Sequence, residues 1–224
     1  MATNALDAQP GWAEGLLDAG RTLDPAKVRV IPFGNNLEVD PGADAVNKAI
    51  LARPTDRCDL LFLGVSWVRK GGPLALEVTE TLNAMGLPST LTVIGCDTPE
   101  GVTSPFIRHL PFINKSTKAG QLRLVSHLLH SHFLLLPSIA ECFGIVHAEA
   151  SSMGVPSFAR DVGGVRNAVR EGRNGYLFPM DAGAEPYAKA ILALMREPGA
   201  YRQLARSAYE EHRTELNWGT TGAR

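Results

Sequence analysis

Short apolar segments alternate with longer amphipathic ones from Asp59 to the C-terminus. Short apolar runs bounded by Gly, Pro, Asn or Asp are typical of buried strands, whereas apolar residues every three or four positions are typical of helices. This pattern predicts an α/β fold with a doubly wound, mostly parallel six-stranded sheet. The predicted strands are residues 60–64, 89–95, 107–113, 133–137, 156–160 and 176–178, and the predicted helices are residues 73–85, 118–132, 185–196 and 201–216.

The first 58 residues lack this alternation. Residues 11–19 have the spacing of one helix and residues 28–31 that of one strand, with several prolines and glycines nearby. A helix, a strand and a loop cannot enclose a hydrophobic core. We therefore interpret residues 1–58 as the remnant of a preceding domain with a linker, and residues 59–200 as the main domain. Residues 201–224 are interpreted as a C-terminal helix, on which acidic residues such as Glu211 suggest a solvated face.

Composition narrows the function classes. The 224 residues include 22 Lys and Arg against 23 Asp and Glu, so the surface lacks the basic excess that non-specific nucleic-acid binding requires. The three cysteines lie far apart with no Cys-x-x-Cys pair, which indicates neither a disulfide framework nor a zinc ribbon. The apolar runs fall short of the roughly 20 residues that span a bilayer. We expect a cytoplasmic protein with no transmembrane segment and no nucleic-acid partner.

The most informative segment is residues 135–154, which read as a buried strand, a polar turn and a helix. Glu141 and Glu149 lie on either side of a Phe-Gly turn in this segment. Ligands of open parallel sheets bind in the crevice beyond the carboxyl ends of the strands, so Glu141 is expected to face that crevice. From spacing alone, the alternative is that Glu141 interacts with the helix dipole and Glu149 is an exposed surface acid.

The start of the same helix is a candidate anion site. Gly144 permits close approach of a ligand, and the backbone N–H groups of Gly144, Ile145 and Val146 have no acceptor within the helix. A phosphate would fit there. Glu149 follows about one and a half turns later, where it could reach a ribose diol.

This segment resembles the signature of glycosyltransferase family 4, which comprises retaining enzymes of GT-B fold. In that signature two glutamates eight positions apart flank a Phe-Gly-aliphatic turn, as Glu141 and Glu149 do here. Residues 61–72, 161–164 and 174–178 also resemble family motifs, in the same order and spacing. The resemblance extends from about residue 27 to the C-terminus. It implies a C-terminal, nucleotide-sugar-binding domain with most of the N-terminal domain absent.

The resemblance also implies roles for individual residues. Lys70 matches the lysine that contacts the donor diphosphate, and Glu141 matches a catalytic-site residue beside the donor sugar hydroxyls or phosphate. Glu149 would hold the ribose. Backbone groups around Phe112 and Ile113 would contact the base.

One departure from the family pattern concerns a second cation. Family members commonly have an arginine directly after the first strand, where this chain has Val65. Two interpretations of Arg69 stay open: partial substitution for that cation, or a solvated loop charge. Stabilisation of the leaving diphosphate by Lys70 and helix N–H groups would require no divalent metal, and the chain contains no Asp-x-Asp pair.

These implications favour a donor domain that binds a nucleotide-diphospho-sugar for retaining transfer to an unknown acceptor. The chain alone is expected to transfer poorly, because the acceptor side would come from the absent N-terminal domain or a partner chain. The last helix would cross toward that domain. The alternative is a non-catalytic module that binds a nucleotide sugar. A Rossmann oxidoreductase is disfavoured, because no Gly-x-Gly-x-x-Gly follows the first strand.

Other chemistry-bearing residues favour structural roles. His127, His130 and His132 do not share one helix face, so a metal cluster is disfavoured. Cys142 has no oriented His–Asp pair in the sequence that would make it a nucleophile. Trp67 is expected to pack in the core rather than on a ligand.

Overall fold

The six predicted strands form one parallel sheet in the computed structural model, which describes residues 31–223. In chain order the strands are β1 Cys58–Leu63, β2 Ser89–Ile94, β3 Ile107–Leu110, β4 Phe133–Leu136, β5 Ser157–Arg160 and β6 Gly175–Phe178. They are arranged β3-β2-β1-β4-β5-β6, and every pairing is parallel. The predicted α/β fold class is confirmed. The predicted helix at 11–19 and all but the last residue of the predicted strand at 28–31 lie outside the described residues.

Helices connect the strands and cover the sheet. They are α1 Ala43–Ala52, α2 Gly72–Ala84, α3 Lys118–His130, α4 Ile145–Ser151, α5 Val165–Ala168, α6 Ala184–Arg196, α7 Pro198–Thr214 and α8 Trp218–Gly222. Local chemistry sets several ends: the hydroxyl of Thr117 accepts a bond from the amide of Gly120 at the start of α3. Gly86 has a φ of 85° just after α2, where the amide of Leu87 donates to the carbonyl of Leu82.

Strand β3 is shorter than predicted. It ends at Leu110 instead of residue 113. Pro111 follows and has no N–H to donate to the neighbouring strand, so the ladder stops there. The residues beyond it form a loop, of which Ile113 is buried and Phe112 is 67% exposed.

Helix α1 was not predicted, because residues 1–58 were interpreted as a remnant and a linker. Val46 and Ile50 are the buried residues of this helix, and both belong to the main hydrophobic core. Two buried side chains among alanines, Asn47 and Lys48 give only a weak helical pattern. The segment thus contributes to the core of the domain that follows it.

Glu211 on α7 is buried, which corrects the expectation that it lies on a solvated face. Its carboxylate pairs with Arg170 at 2.7 Å, and Arg173 lies 3.6 Å away. Glu211 continues the buried stripe of α7 that Tyr201, Leu204 and Ala208 begin, at spacings of three and four residues. The arginines compensate its charge at a position that helical periodicity turns inward.

The strand order reverses between β1 and β4, since β2 follows β1 to one side and β4 lies on the other. Both central strands are buried, and the side chains of Leu60, Phe62, Phe133 and Leu135 are fully inaccessible. Loops leaving such a switch point diverge and leave a crevice at the carboxyl edge. Among the described residues, no helix combines the length and apolarity that crossing a bilayer requires.

Candidate functional site

A cavity of about 450 Å³ opens at the carboxyl ends of β1 and β2. Its walls come from the ends of these strands, the β1–α2 loop, the loop after β3 and helices α3 and α4. The charged residues that line it are Arg69, Lys70, Lys115 and Glu149. The crevice expected from the strand order is therefore present and carries more cations than anions.

Lys70 lies in the β1–α2 loop and is 9% exposed. Its aliphatic stem packs on Gly64, where a Cβ would lie 2.8 Å from the lysine Cγ. The ammonium forms an ion pair with Glu141, whose side chain is also largely buried. Gly163 approaches the carbonyl oxygen of Glu141 so closely that a side chain there would clash, which fixes the turn that carries Glu141.

Lys115 and Glu149 form a second ion pair in the same cavity. The ammonium lies 2.6 Å from Oε1 of Glu149, whose side chain is fully buried. Burial raises the pKa of the Glu149 carboxyl, and the charge of Lys115 opposes that rise. The alternative interpretation of Glu149 as an exposed surface acid is therefore wrong.

The turn between the two glutamates has the conformation that the sequence suggested. Gly144 has a φ of 78°, and α4 begins at the next residue. A Cβ at Gly144 would lie 2.6 Å from Cδ2 of His147, so glycine is required by both conformation and space. Close approach of the backbone at this helix start is what an anion site needs.

His147 is buried beneath this turn. Neither ring nitrogen has a hydrogen-bond partner within the part of the chain that the structure describes. Burial, and to a smaller extent the charge of Lys70, lowers the pKa of the imidazole to about 3. The imidazole of His147 is thus neutral at physiological pH and adds no positive charge near Lys70.

Six of the nine residues proposed for the site line this one cavity: Arg69, Lys70, Phe112, Ile113, Val146 and Glu149. The other three, Glu141, Gly144 and Ile145, lie in the adjoining turn and α4 start, and Glu141 is linked to the cavity through Lys70. The roles assigned to these residues stay predictions. Val65 also lines the cavity, at the position where the family pattern has a cation.

Sequence reasoning missed Lys115. It lies in a polar loop with no motif, and the sequence gives no sign that its charge meets a glutamate 34 positions away. The only available signal was its place shortly after β3. The carboxyl end of β3 lies at the same edge of the sheet as the carboxyl ends of β1 and β2. An ion pair between residues so far apart in the sequence becomes visible only in the three-dimensional structure.

The residues set aside by the sequence are used structurally. Trp67 is 5% exposed and packs on Phe62 with ring centroids 5.4 Å apart, as predicted. In His132, Nδ1 accepts from the amide of Asp59 at 2.9 Å, and Nε2 lies 2.7 Å from the carbonyl oxygen of Pro54. Both ring nitrogens of His132 are therefore occupied by the backbone.

Comparison with known proteins agrees with this geometry. The family model described as "Glycosyl transferases group 1" matches residues 44–211. This chain belongs to the glycosyl transferases group 1 family. Its matched region begins in α1 and ends in α7, so it includes the unpredicted first helix, the complete sheet and the cavity.

Curated relatives of this group 1 glycosyltransferase chain include D-inositol 3-phosphate glycosyltransferases. The protein from Acidothermus cellulolyticus is 30% identical over 213 residues, covering 88% of this chain and 46% of the relative. The protein from Streptomyces scabiei is 30% identical over 238 residues, covering 99% and 52%. The chain thus spans about half the length of the curated relatives it matches.

Solved structures share the fold of this group 1 chain. Sucrose-phosphate synthase from Thermosynechococcus elongatus superposes with a TM-score of 0.70 at 24% identity, covering 96% of this chain and 54% of the other. Anabaena HepE in complex with UDP and glucose gives 0.66 at 17% identity, covering 96% and 60%. The C-terminal domain of a glycosyl transferase group 1 family protein from Francisella tularensis gives 0.60 at 18% identity, covering 79% and 95%.

Proposed function

We propose that this chain is the donor-binding half of a retaining family 4 glycosyltransferase, which binds a nucleotide-diphospho-sugar for transfer to an acceptor. The observation that carries the proposal is a pair of ammonium–carboxylate contacts at the switch point of the sheet: Lys115–Glu149 within the cavity, and Lys70–Glu141 between the cavity and the adjoining turn. The similarity to curated D-inositol 3-phosphate glycosyltransferases supports transfer of a sugar. The HepE structures described with UDP-glucose support a nucleotide-sugar donor.

Lys70 has the position and charge to bind the donor diphosphate. As the bond between sugar and phosphate breaks, negative charge accumulates on the leaving diphosphate. A fixed cation and the N–H groups at the α4 start stabilise this charge more in the transition state than in the bound donor. Lys70 would exchange its contact with Glu141 for the phosphate oxygens.

The two glutamates would then bind different parts of the donor. Glu141, adjacent to Lys70, would accept hydrogen bonds from the sugar hydroxyls as the catalytic-site carboxylate. Glu149, deeper in the cavity, would hold the ribose. The loop with Phe112 and Ile113 would bind the base through backbone groups, since it forms part of the cavity wall.

We also propose that the reaction uses no divalent metal. The cavity supplies three cationic side chains, Arg69, Lys70 and Lys115, to balance the diphosphate. Donor binding should then be unchanged by EDTA and by added Mg²⁺ when followed by calorimetry. Binding that required the metal would overturn this part of the proposal.

The acceptor side is proposed to come from a second domain. The chain spans about half of its curated relatives, and the Francisella structure that it covers almost fully is described as a C-terminal domain. We keep the division into remnant (1–58), donor domain (59–200) and crossing helix (201–224) as a proposal, with helix α1 of the first segment packed into the core of the donor domain. A cytoplasmic location remains part of the same proposal.

A second candidate function is a non-catalytic module that binds a nucleotide sugar. The observation that favours it is Val65, which is 68% exposed in the cavity wall where a second cation is expected. Robust transfer by the isolated chain would overturn this alternative.

The deciding experiment is isothermal titration of the folded chain with UDP, GDP and ADP, followed by the corresponding nucleotide sugars. Saturable binding of one nucleoside diphosphate is expected, and it would also identify the base. Absence of binding by all three, with a native circular dichroism spectrum, would contradict both candidate functions.

A further inference from the structure

Lys115 and Glu149 leave specific hydrogen-bonding capacity in the cavity wall. Oε1 of Glu149 is taken by the lysine, but Oε2 has no hydrogen-bond partner among residues 31–223. An ammonium group has three donors, of which Glu149 uses one. The pair therefore presents one carboxylate acceptor beside ammonium donors.

The position of Lys115 is fixed by its backbone. The carbonyl oxygen of Lys115 accepts a bond from the side-chain amide of Gln121 at 3.0 Å. Gln121 is itself buried and accepts from the amide of Glu38 at 3.0 Å. On the other side, Oδ1 of Asn114 accepts from the amide of Ser116 at 2.9 Å. These contacts hold the loop against α3, so Lys115 is not a freely moving surface lysine.

Because Glu149 is buried, its carboxylate needs a hydrogen-bond donor for each oxygen. Both residues line the cavity, where the Glu149 side chain is buried and the Lys115 side chain is 37% exposed. A buried carboxylate oxygen without a hydrogen-bond donor is unfavourable. A ligand hydroxyl that donates to Oε2 would satisfy that oxygen, and a neighbouring hydroxyl oxygen could accept from Lys115.

From this geometry we infer that Lys115 is a specificity-determining residue of the donor site, which binds a vicinal diol jointly with Glu149. Glu149 accepts from one hydroxyl through Oε2, and Lys115 donates to the oxygen of the other. The diol is that of the ribose, so the inference rests on the proposed function. Glu149 alone then accounts for only one of the two hydroxyls.

The test compares a nucleoside diphosphate with its 2′-deoxy and 3′-deoxy forms, using whichever of UDP, GDP and ADP binds the wild-type chain. Calorimetry of the wild type should show weaker binding of both deoxy forms, by roughly tenfold each. Lys115→Met keeps the length of the stem and removes the charge. This variant should bind the ribonucleotide roughly tenfold more weakly and discriminate against only one deoxy form.

Two variants guard against a general loss of structure. Lys115→Arg keeps a cation and should keep most of the affinity. The double variant Lys115→Met/Glu149→Gln removes both charges together and leaves no buried carboxylate without a counterion, so it should fold and discriminate against neither deoxy form. Thermal melts establish that each variant is native before titration.

The outcomes separate this inference from the proposed function. If the wild type binds none of the three nucleotides, the proposed function fails and this inference fails with it. If Lys115→Met retains the full penalty for both deoxy forms, or weakens all three ligands equally, Lys115 does not bind the diol and this inference alone is overturned.

Discussion

The two ends of the parallel sheet both hold a cavity lined by cations, yet they differ in how their buried polar groups are satisfied. The cavity at the carboxyl end measures about 450 Å³ and contains Lys70 and Lys115. The cavity near the amino ends of β1 and β4 measures about 490 Å³ and contains Arg53 and Arg108. Neither volume nor positive charge therefore tells the two apart.

In the amino-end cavity the buried arginine is occupied by the fold. Arg53 is 4% exposed and donates to the carbonyl oxygens of Leu129, Met153 and Gly154 and to the hydroxyl of Tyr201, at 2.6–3.1 Å. Its charge thus binds the carbonyl groups that follow α4 and end α3, where a cation is favourable. A ligand would have to displace these contacts.

Among the described residues at the carboxyl end, Ser138 and Arg160 each have a buried polar atom without a hydrogen-bond partner, and two further such groups lie beside the cavity. These two are Oε2 of Glu149 and the ring of His147, judged over the described part of the chain. Native proteins form hydrogen bonds to nearly all buried polar groups. Unpaired polar groups next to an open cavity therefore indicate a candidate ligand site. The comparison teaches that the unsatisfied groups, rather than the size of the cavity, identify the site.

The largest effect is expected from Arg53→Met. The substitution removes the donors of three carbonyl oxygens and should lower the free energy of unfolding by about 3 kcal/mol or more. Nucleotide affinity should be unchanged at temperatures where the variant is folded, because the arginine serves the fold. Urea unfolding and calorimetry check the two parts. Wild-type stability would show that the amino end is not held by this residue.

Acid should destabilise the carboxyl end through His147. Its pKa is about 3 in the folded chain against 6.5 for a free imidazole. Between these values the unfolded chain binds more protons, so the stability present above pH 6.5 is lost as pH falls toward 3. At about pH 4.5 the loss from this residue is about 2–3 kcal/mol.

The matched variant is His147→Leu, which cannot bind a proton. It should lose less stability than the wild type between pH 7 and about pH 4.5, as followed by urea unfolding at each pH. His127, His132 and His212 also have lowered pKa values, owing first to burial, and contribute to the acid sensitivity that remains. Identical pH dependence of the two chains would mean that His147 is not buried as described.

A cation at each end can be removed to test which end binds nucleotide. Lys70→Met should weaken nucleoside diphosphate binding by about 1.5–3 kcal/mol, because a charge-assisted contact is lost. Arg108→Met at the other end should leave affinity unchanged. Calorimetry with the same nucleotide provides both values. If the two substitutions weakened nucleotide binding equally, the carboxyl end could not be assigned as the nucleotide site.

Much of the fold could be predicted from the sequence, because the hydrophobic periodicity of each strand and helix agrees with the Gly and Pro residues that mark its ends. Strand β1 and helix α2 lie within a few residues of their predicted positions, since apolar runs and Gly or Pro signals act locally. Helix α1 was missed because its fold is decided by packing onto α7 and α3, which is long-range information.

The candidate site was predictable only where a motif carries it. Glu141, Glu149 and Lys70 belong to ordered motifs, and the structure places them at one edge of the sheet. Lys115 belongs to none, and its significance arises from a 2.6 Å contact that no local pattern encodes. Glu211 shows the same limit, because the two arginines that compensate its buried charge lie about 40 positions away.

The smallest effect is expected from Arg57→Met at the amino end. Arg57 pairs with Asp59 at 3.2 Å, and its side chain is 57% exposed, so solvent and salt screen the contact. The free energy of unfolding should change by less than about 1 kcal/mol, and that difference should shrink when urea unfolding is repeated in high salt. A larger, salt-insensitive change would mean that this end also depends on specific charge contacts at its surface. The amino end would then be held by more than Arg53, and pairing of buried groups alone would no longer separate it from the carboxyl end.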